Sequence, residues 1–170
     1  KVFKTTLKSI PQEVRFIKPE KNNYYNWKKK LKKIKGLKVG LFWQGDNSHP
    51  HDWKRSIDIK KFRSILKINE ITFISLQKYS SENRIEKNDF DNLIYSFSKK
   101  IDKTPFKDTI SIIANMDLVI SVDSAIAHIS ATMGIKTWIL LPSIPDYRWT
   151  SIGHKTKWYK NVFLFRQKKL

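Results

Sequence analysis

Residues 37–43 (LKVGLFW), 71–76 (ITFISL), 117–122 (DLVISV) and 136–141 (KTWILL) are apolar almost without interruption. A strand with one wet face alternates apolar and polar residues. A strand buried on both faces does not, and such strands belong to parallel sheets covered by helices. The stretches between these runs carry apolar residues at helical spacing. Ile59, Phe62, Ile65 and Leu66 share a face over 58–68. Ile110, Ile113 and Ala114 share one over 109–115, behind Asp108 as an N-cap. Residues 124–133 form a helix ended by Gly134. A further strand is expected over 91–97 (DNLIYSF), and Pro142 stops the strand at 136–141. Strands alternating with helices predict an α/β fold: a Rossmann-like parallel sheet with helices on both faces. Ligands of such sheets bind beyond the carboxyl ends of the strands. The loops starting at Gln44, Gln77 and Asp123 are therefore expected on one common edge.

Upstream of the first strand, Pro11 and Pro19 break residues 1–22. Trp27, Leu31 and Ile34 follow at i, i+4 and i+7, one face of a helix over 24–35 with Gly36 as its C-terminal cap. The Lys run of that segment reads as the solvated face of a packed helix.

Composition removes several function classes. With 40% hydrophobic and 13% aromatic residues the chain can bury a core. The absence of cysteine excludes disulfides and cysteine-based metal sites. No apolar run reaches the roughly 18 residues that span a bilayer. Residues 1–12 lack the apolar segment of a signal peptide, so the expected location is the cytoplasm. The formal net charge of +19 allows a nucleic-acid or anionic-membrane surface. It also follows from biased composition, which is the reading favoured here. The basic residues are mostly Lys spread along the whole chain, whereas a reader of phosphates favours the Arg fork. No RNA-binding, zinc-finger or helix-turn-helix signature is present, so no specific nucleic-acid partner is expected.

The segment with the most chemistry is SVDSAIAH at 121–128. A buried strand runs directly into a helix, whose first turn leaves backbone N–H groups unpaired and adds partial positive charge. A diphosphate fits such a turn. Ser124 and Ala125 are small enough for close approach. His128 lies four residues after Ser124 on the same face and can donate to a phosphate. Asp123 caps the helix or meets a sugar hydroxyl. A capped helix with a satisfied core histidine explains the same spacing. In the long polar loop 44–57, Arg55 is the candidate cation for a phosphate. His49, His51, Asp46 and Asp52 of that loop do not complete a ligand set of recognised spacing, and no metal is expected. Ser121, Ser124, Asp123 and His128 crowd one turn and lack the G-x-S-x-G elbow of a hydrolase. Neither G-x-G-x-x-G nor G-x-x-x-x-G-K-[ST] occurs, which disfavours nicotinamide dehydrogenases and P-loop ATPases.

Several stretches, in order along most of the chain, resemble a known family: KVGLFWQG (38–45), Arg55-Ser56-Ile57, ITFISLQK (71–78), FKDT (106–109), DLVISVDSAIAH (117–128), WILLPSIPDYRW (138–149) and WYKNVFLFRQ (158–167). The chain resembles the C-terminal, donor-binding domain of GT-B glycosyltransferases similar to the ADP-heptose lipopolysaccharide heptosyltransferases of family 9, as found in chains that carry tetratricopeptide repeats upstream. TTLKSIP (5–11) resembles the segment leaving the N-terminal domain of such enzymes. The resemblance implies an inter-domain segment and linker helix over 1–36 and a nucleotide-sugar-binding domain over 37–170. It implies that Asp123, Ser124, Ala125 and Ile126 offer backbone groups to the donor diphosphate, with His128 beside them. Arg55 stands where the heptosyltransferases have Lys. Gln77 and Lys78 fall where the nucleoside is held, and Asp108 and Thr109 lie near the same edge.

The implied activity is metal-independent, inverting transfer from a nucleotide-diphospho-sugar, which is a substrate; no cofactor is implied. The acceptor would be a glycan, a lipid-linked glycan or a protein. The catalytic base and acceptor groove would belong to an N-terminal domain that these residues do not contain, so the fragment alone is expected to be inactive and to hold no catalytic residue of its own. Family chains also continue past the stretch matching FRQ into a further helix. Two other readings remain: a non-catalytic scaffold retaining the fold, and an anion- or nucleic-acid-binding protein driven by charge.

Overall fold

A computed structural model describes residues 4, 6, 8–11, 15–46, 48–77, 93–97 and 106–168. Its elements in chain order are α1 (Lys21–Leu31), β1 (Leu37–Phe42), α2 (Arg63–Leu66), β2 (Ile71–Ser75), β3 (Ile94–Tyr95), α3 (Lys107–Ile113), β4 (Leu118–Val122), α4 (Ala125–Thr132), β5 (Thr137–Leu141) and β6 (Val162–Arg166). Short 3-10 turns cover Asp52–Lys54, Ile59–Phe62 and Tyr147–Trp149. The strands form one parallel sheet in the order β3-β2-β1-β4-β5-β6.

Both faces of the sheet are covered, as continuous apolar strands require. On one face Val39, Leu41, Phe73 and Ile120 pack with Ile59, Phe62 and Leu66 from the 3-10 turn and α2. On the other, Ile74 and Val119 meet Trp27 and Leu31 of α1, Ile112 and Ile113 of α3 and Ile126 of α4. Farther along that face, Ile139, Leu141, Val162 and Leu164 surround Ala127, Ala131 and the fully buried Trp149. At Gly40 of β1 a Cβ would lie 2.8 Å from Leu76 Cδ1, just past the end of β2, so this strand position is packed too closely for a side chain.

Several element boundaries differ from the sequence reading, each for a local reason. The first helix starts at Lys21, two residues after Pro19, and ends at Leu31. Gly36 is not its cap: with φ +78° it forms the turn into β1, where Leu37 N donates to Glu70 O at 3.0 Å. Asp108 is not an N-cap either. It is the second residue of α3, behind Phe106 in the left-handed region, and its carboxylate accepts from Trp27 Nε1 at 2.6 Å. The helix expected over 58–68 divides into a 3-10 turn, capped by Asp58 accepting from Lys60 N, and the four-residue α2. Of the strand expected over 91–97, Ile94–Tyr95 pairs with β2, while 91 and 92 lie outside the described residues. The helix ended by Gly134 is as expected, with φ +79° and its N–H bonded to Ala131 O at 3.0 Å.

Candidate functional site

The strand order reverses between β1 and β4, which pair over Val39–Phe42 and Leu118–Ser121. Connections leave this point in opposite directions and open a crevice beyond the strand ends. Arg55 spans it. The 3-10 turn Asp52–Lys54 returns the chain so that Arg55 Nε meets Asp52 Oδ1 at 2.9 Å. Asp52 is buried, and its Oδ2 accepts from Ser56 Oγ at 2.5 Å. Ser56 Oγ in turn accepts from Gly45 N at 2.9 Å. Arg55 Nη1 then donates across the crevice to the Asp123 carbonyl at 3.1 Å. A side chain at position 45 would collide with Asp52 Oδ1 and come within 2.8 Å of Arg55, so it would displace the Asp52–Arg55 pair.

Opposite Arg55 stands the start of α4. Ser124 is the N-cap: extended at φ −159°, it accepts from Ala127 N at 3.4 Å and exchanges a hydrogen bond with Ser121 Oγ at 3.0 Å. The Ala125 and Ile126 N–H groups lie in the first turn, which has no intrahelical acceptors. Ala125 is exposed and Ile126 buried. Asp123 does not cap the helix. Its Oδ1 lies 3.9 Å from His128 Nε2, a charge contact too long for a hydrogen bond.

His128 sits one turn into α4. Its Nδ1 is 3.0 Å from the Tyr159 hydroxyl, and its ring stacks on Trp149 with centroids 5.1 Å apart and planes at 23°. Burial pushes its pKa below the ordinary imidazole value; Asp123 raises it, Arg148 lowers it and Asp146 raises it, each by less. A neutral imidazole keeps one N–H donor and one acceptor. Trp149 is fully buried, and its Nε1 has no hydrogen-bond partner among the described residues. Leaving such a donor unpaired costs about 1–3 kcal/mol, so the packing of this indole outweighs its polar satisfaction.

The structure thus brings Arg55, Asp123, Ser124, Ala125, Ile126 and His128 together. Gln77 lies on the same edge but faces inward: its Oε1 accepts from Trp43 N and Gln44 N, both at 3.0 Å, and its Nε2 donates to Gln44 O at 3.1 Å. It ties the end of β2 to the end of β1. Asp108 is held by Trp27, and Thr109 is buried beside it at the start of α3. Lys78 lies outside the described residues. Among the described residues no group of three His, Cys, Asp or Glu side chains converges on a metal position. His49 Nδ1 accepts from His51 N at 3.2 Å. No helix among the described residues is long and apolar enough to cross a membrane.

Three residues of the site have no role in the sequence reading. Asp52 is weighed there only as a metal ligand, although its place three residues before Arg55 suits an ion pair. Trp149 and Tyr159 fall in stretches that carry the family resemblance, but no spacing rule brings them to His128 from segments far along the chain.

The family model described as Glycosyltransferase family 9 (heptosyltransferase) matches residues 74–162, more than half of the 170 residues. No curated protein matches the chain. Among solved structures, the chain is similar to a glycosyl transferase of family 9 from Veillonella parvula, with a TM-score of 0.64 and 8% identity over 94% of this chain and 44% of that one. It is also similar to the E. coli ADP-heptose lps heptosyltransferase II, with a TM-score of 0.65 and 13% identity over 95% of this chain and 48% of that one. At these identities the likeness establishes the fold. The chain spans less than half the length of either structure.

Proposed function

The chain belongs to glycosyltransferase family 9, and on that premise we propose that it is the donor-binding half of a metal-independent, inverting glycosyltransferase that uses a nucleotide-diphospho-sugar. One observation carries this reading: a guanidinium, a helix N-terminus and an imidazole held by its neighbours meet at the β1–β4 switch point. Cleaving the sugar–phosphate bond leaves charge on the diphosphate. Preorganised donors aimed at that charge stabilise it without a metal ion. Arg55 supplies the fixed positive charge, the Ala125 and Ile126 amides supply neutral donors, and His128 supplies a third.

The proposal divides the reaction between two halves. The base that deprotonates the acceptor hydroxyl and the groove for a glycan, lipid-linked glycan or protein acceptor lie in an N-terminal GT-B domain, with tetratricopeptide repeats farther upstream. Bringing base, acceptor and anomeric carbon together supplies on the order of 7–11 kcal/mol of the barrier reduction. The isolated chain is therefore expected to bind donor and transfer nothing, at a cytoplasmic location where nucleotide sugars are made.

Titration calorimetry with ADP, UDP and GDP tests the donor site. Saturable binding of one of them, weakened by Arg55→Ala and by His128→Ala, supports the reading. Absence of binding to all three at millimolar concentration would remove it and leave a scaffold that retains the fold. Sugar transfer by these 170 residues, abolished by Asp123→Asn, would instead place the base in this half.

A further inference from the structure

His128 is constrained from outside its own helix on two sides. The face of the imidazole lies on the Trp149 indole, and its Nδ1 edge is closed by the Tyr159 hydroxyl at 3.0 Å. Tyr159 packs on the same buried cluster, its ring 6.4 Å from that of Trp149. The only nitrogen left to the crevice is Nε2, on the side of Asp123. An imidazole on one helix turn, without these neighbours, turns about its terminal torsion through a broad, roughly two-fold well. It would then offer the crevice either nitrogen or a ring carbon. A phenol hydroxyl that donates to Nδ1 removes that freedom, because the proton of the neutral ring then resides on Nε2.

We propose that Tyr159 is a positioning residue for His128, its hydroxyl occupying Nδ1 so that the Nε2–H is the donor turned toward the anion-binding turn of α4, with Trp149 fixing the ring plane. The role rests on the donor-site reading for its purpose but not for its geometry. The other charged or titratable groups that act on the ring are Asp123 on the Nε2 side, with Asp146 and Arg148 from the turn that carries Trp149. Among the described residues, Tyr159 alone bonds Nδ1.

Two measurements on Tyr159→Phe test this, since the variant keeps the ring and loses one oxygen. The first uses the ligand-free chain and reads the His128 imidazole nitrogens by NMR. The Nδ1 resonance should carry the signature of a hydrogen-bonded acceptor and move in Tyr159→Phe toward that of an unbonded imidazole nitrogen. An unchanged Nδ1 resonance overturns the proposal whether or not any nucleotide binds. The second is a double-mutant cycle with ADP, UDP and GDP as probes. Tyr159→Phe should weaken binding roughly three- to tenfold, the scale of one neutral hydrogen bond. In the His128→Ala background it should change nothing, because it acts only through that ring. Equal losses in both backgrounds, or no loss in either despite binding, overturn the positioning role. Failure of every probe to bind the unmodified chain counts against the donor site alone, and the NMR arm still decides the inference.

Discussion

Arg55 and His128 reach the same crevice by different means. Arg55 is held by a latch drawn from one loop: Asp52 three residues upstream, Ser56 next to it and Gly45 at the loop's start. His128 is held by Trp149 and Tyr159, the latter 31 residues away, through ring packing and one neutral hydrogen bond. The first arm is fixed by charge near solvent, the second by burial. A charge latch can be released by removing one carboxylate and is softened by salt. A packed arm resists salt but takes part of the core with it when it fails.

The largest expected effect is therefore on the packed side. Trp149→Ala should cost about 3–5 kcal/mol of stability, the usual loss for a large buried aromatic. The ring is fully buried between α4, β5 and β6, so nothing can collapse into its place cheaply. Denaturant melts would measure it. A loss below about 1 kcal/mol would mean that the indole is dispensable and that His128 is held otherwise.

Next comes the latch. Asp52→Ala leaves Arg55 without its ion pair and Ser56 without its acceptor, and should cost about 1–3 kcal/mol. Arg55 is about a quarter exposed, so solvent screens part of that charge and the loss belongs near the lower end. The same melts at low and high salt separate the arms. Salt should narrow the gap between Asp52→Ala and the unmodified chain, and leave the Trp149→Ala gap unchanged.

Binding should divide the same way. Arg55→Ala and His128→Ala should each weaken nucleoside diphosphate binding by about 1–3 kcal/mol, if each donates to a phosphate. Only Arg55→Ala should also flatten the salt dependence of binding, because it alone removes a full charge. Calorimetry at two salt concentrations checks this. Equal salt slopes in both variants would place the contribution of Arg55 elsewhere, in fixing the Asp123 backbone to which its Nη1 donates.

The split between the arms also marks what the sequence could tell. Strand burial and parallel pairing were legible because a strand's periodicity is local and the continuous runs admit few sheets. The 121–128 turn was legible for the same reason: strand, small residues and helix follow one another directly, although the cap is Ser124 and not Asp123. Gly134 marked the end of α4, but the ends of α1 and α3 were not legible, because they depend on distant partners. Asp108 looks like a cap until Trp27 claims its carboxylate from α1. Gln77 looks like a ligand-edge residue, and its amide is bonded to the backbone of Trp43 and Gln44. The surroundings of His128 come from the 3-10 turn and coil between β5 and β6, whose place over α4 no spacing rule predicts.

The smallest effect, and the one that bears most directly on the packed arm, is the pH dependence of stability. Burial lowers the His128 pKa first; Arg148 lowers it further, while Asp123, the larger opposing influence, and Asp146 raise it. The folded chain therefore holds this imidazole neutral at pH values where the unfolded chain has begun to protonate it. Above the ordinary value of 6.5 both forms are neutral and the residue contributes no pH dependence. As pH falls through 6.5 the unfolded chain takes up a proton that the folded chain refuses, and stability declines. Below the folded pKa both forms are charged and the decline levels off. Every other side chain is common to the variants, so the comparison is with His128→Gln. Urea midpoints taken from pH 8 to pH 5 should fall further in the unmodified chain than in His128→Gln. Asp123→Asn should steepen the fall, because it removes the larger influence that opposes burial. Parallel curves for all three would mean that water reaches the ring, and the contrast between a charged arm and a packed one would not survive.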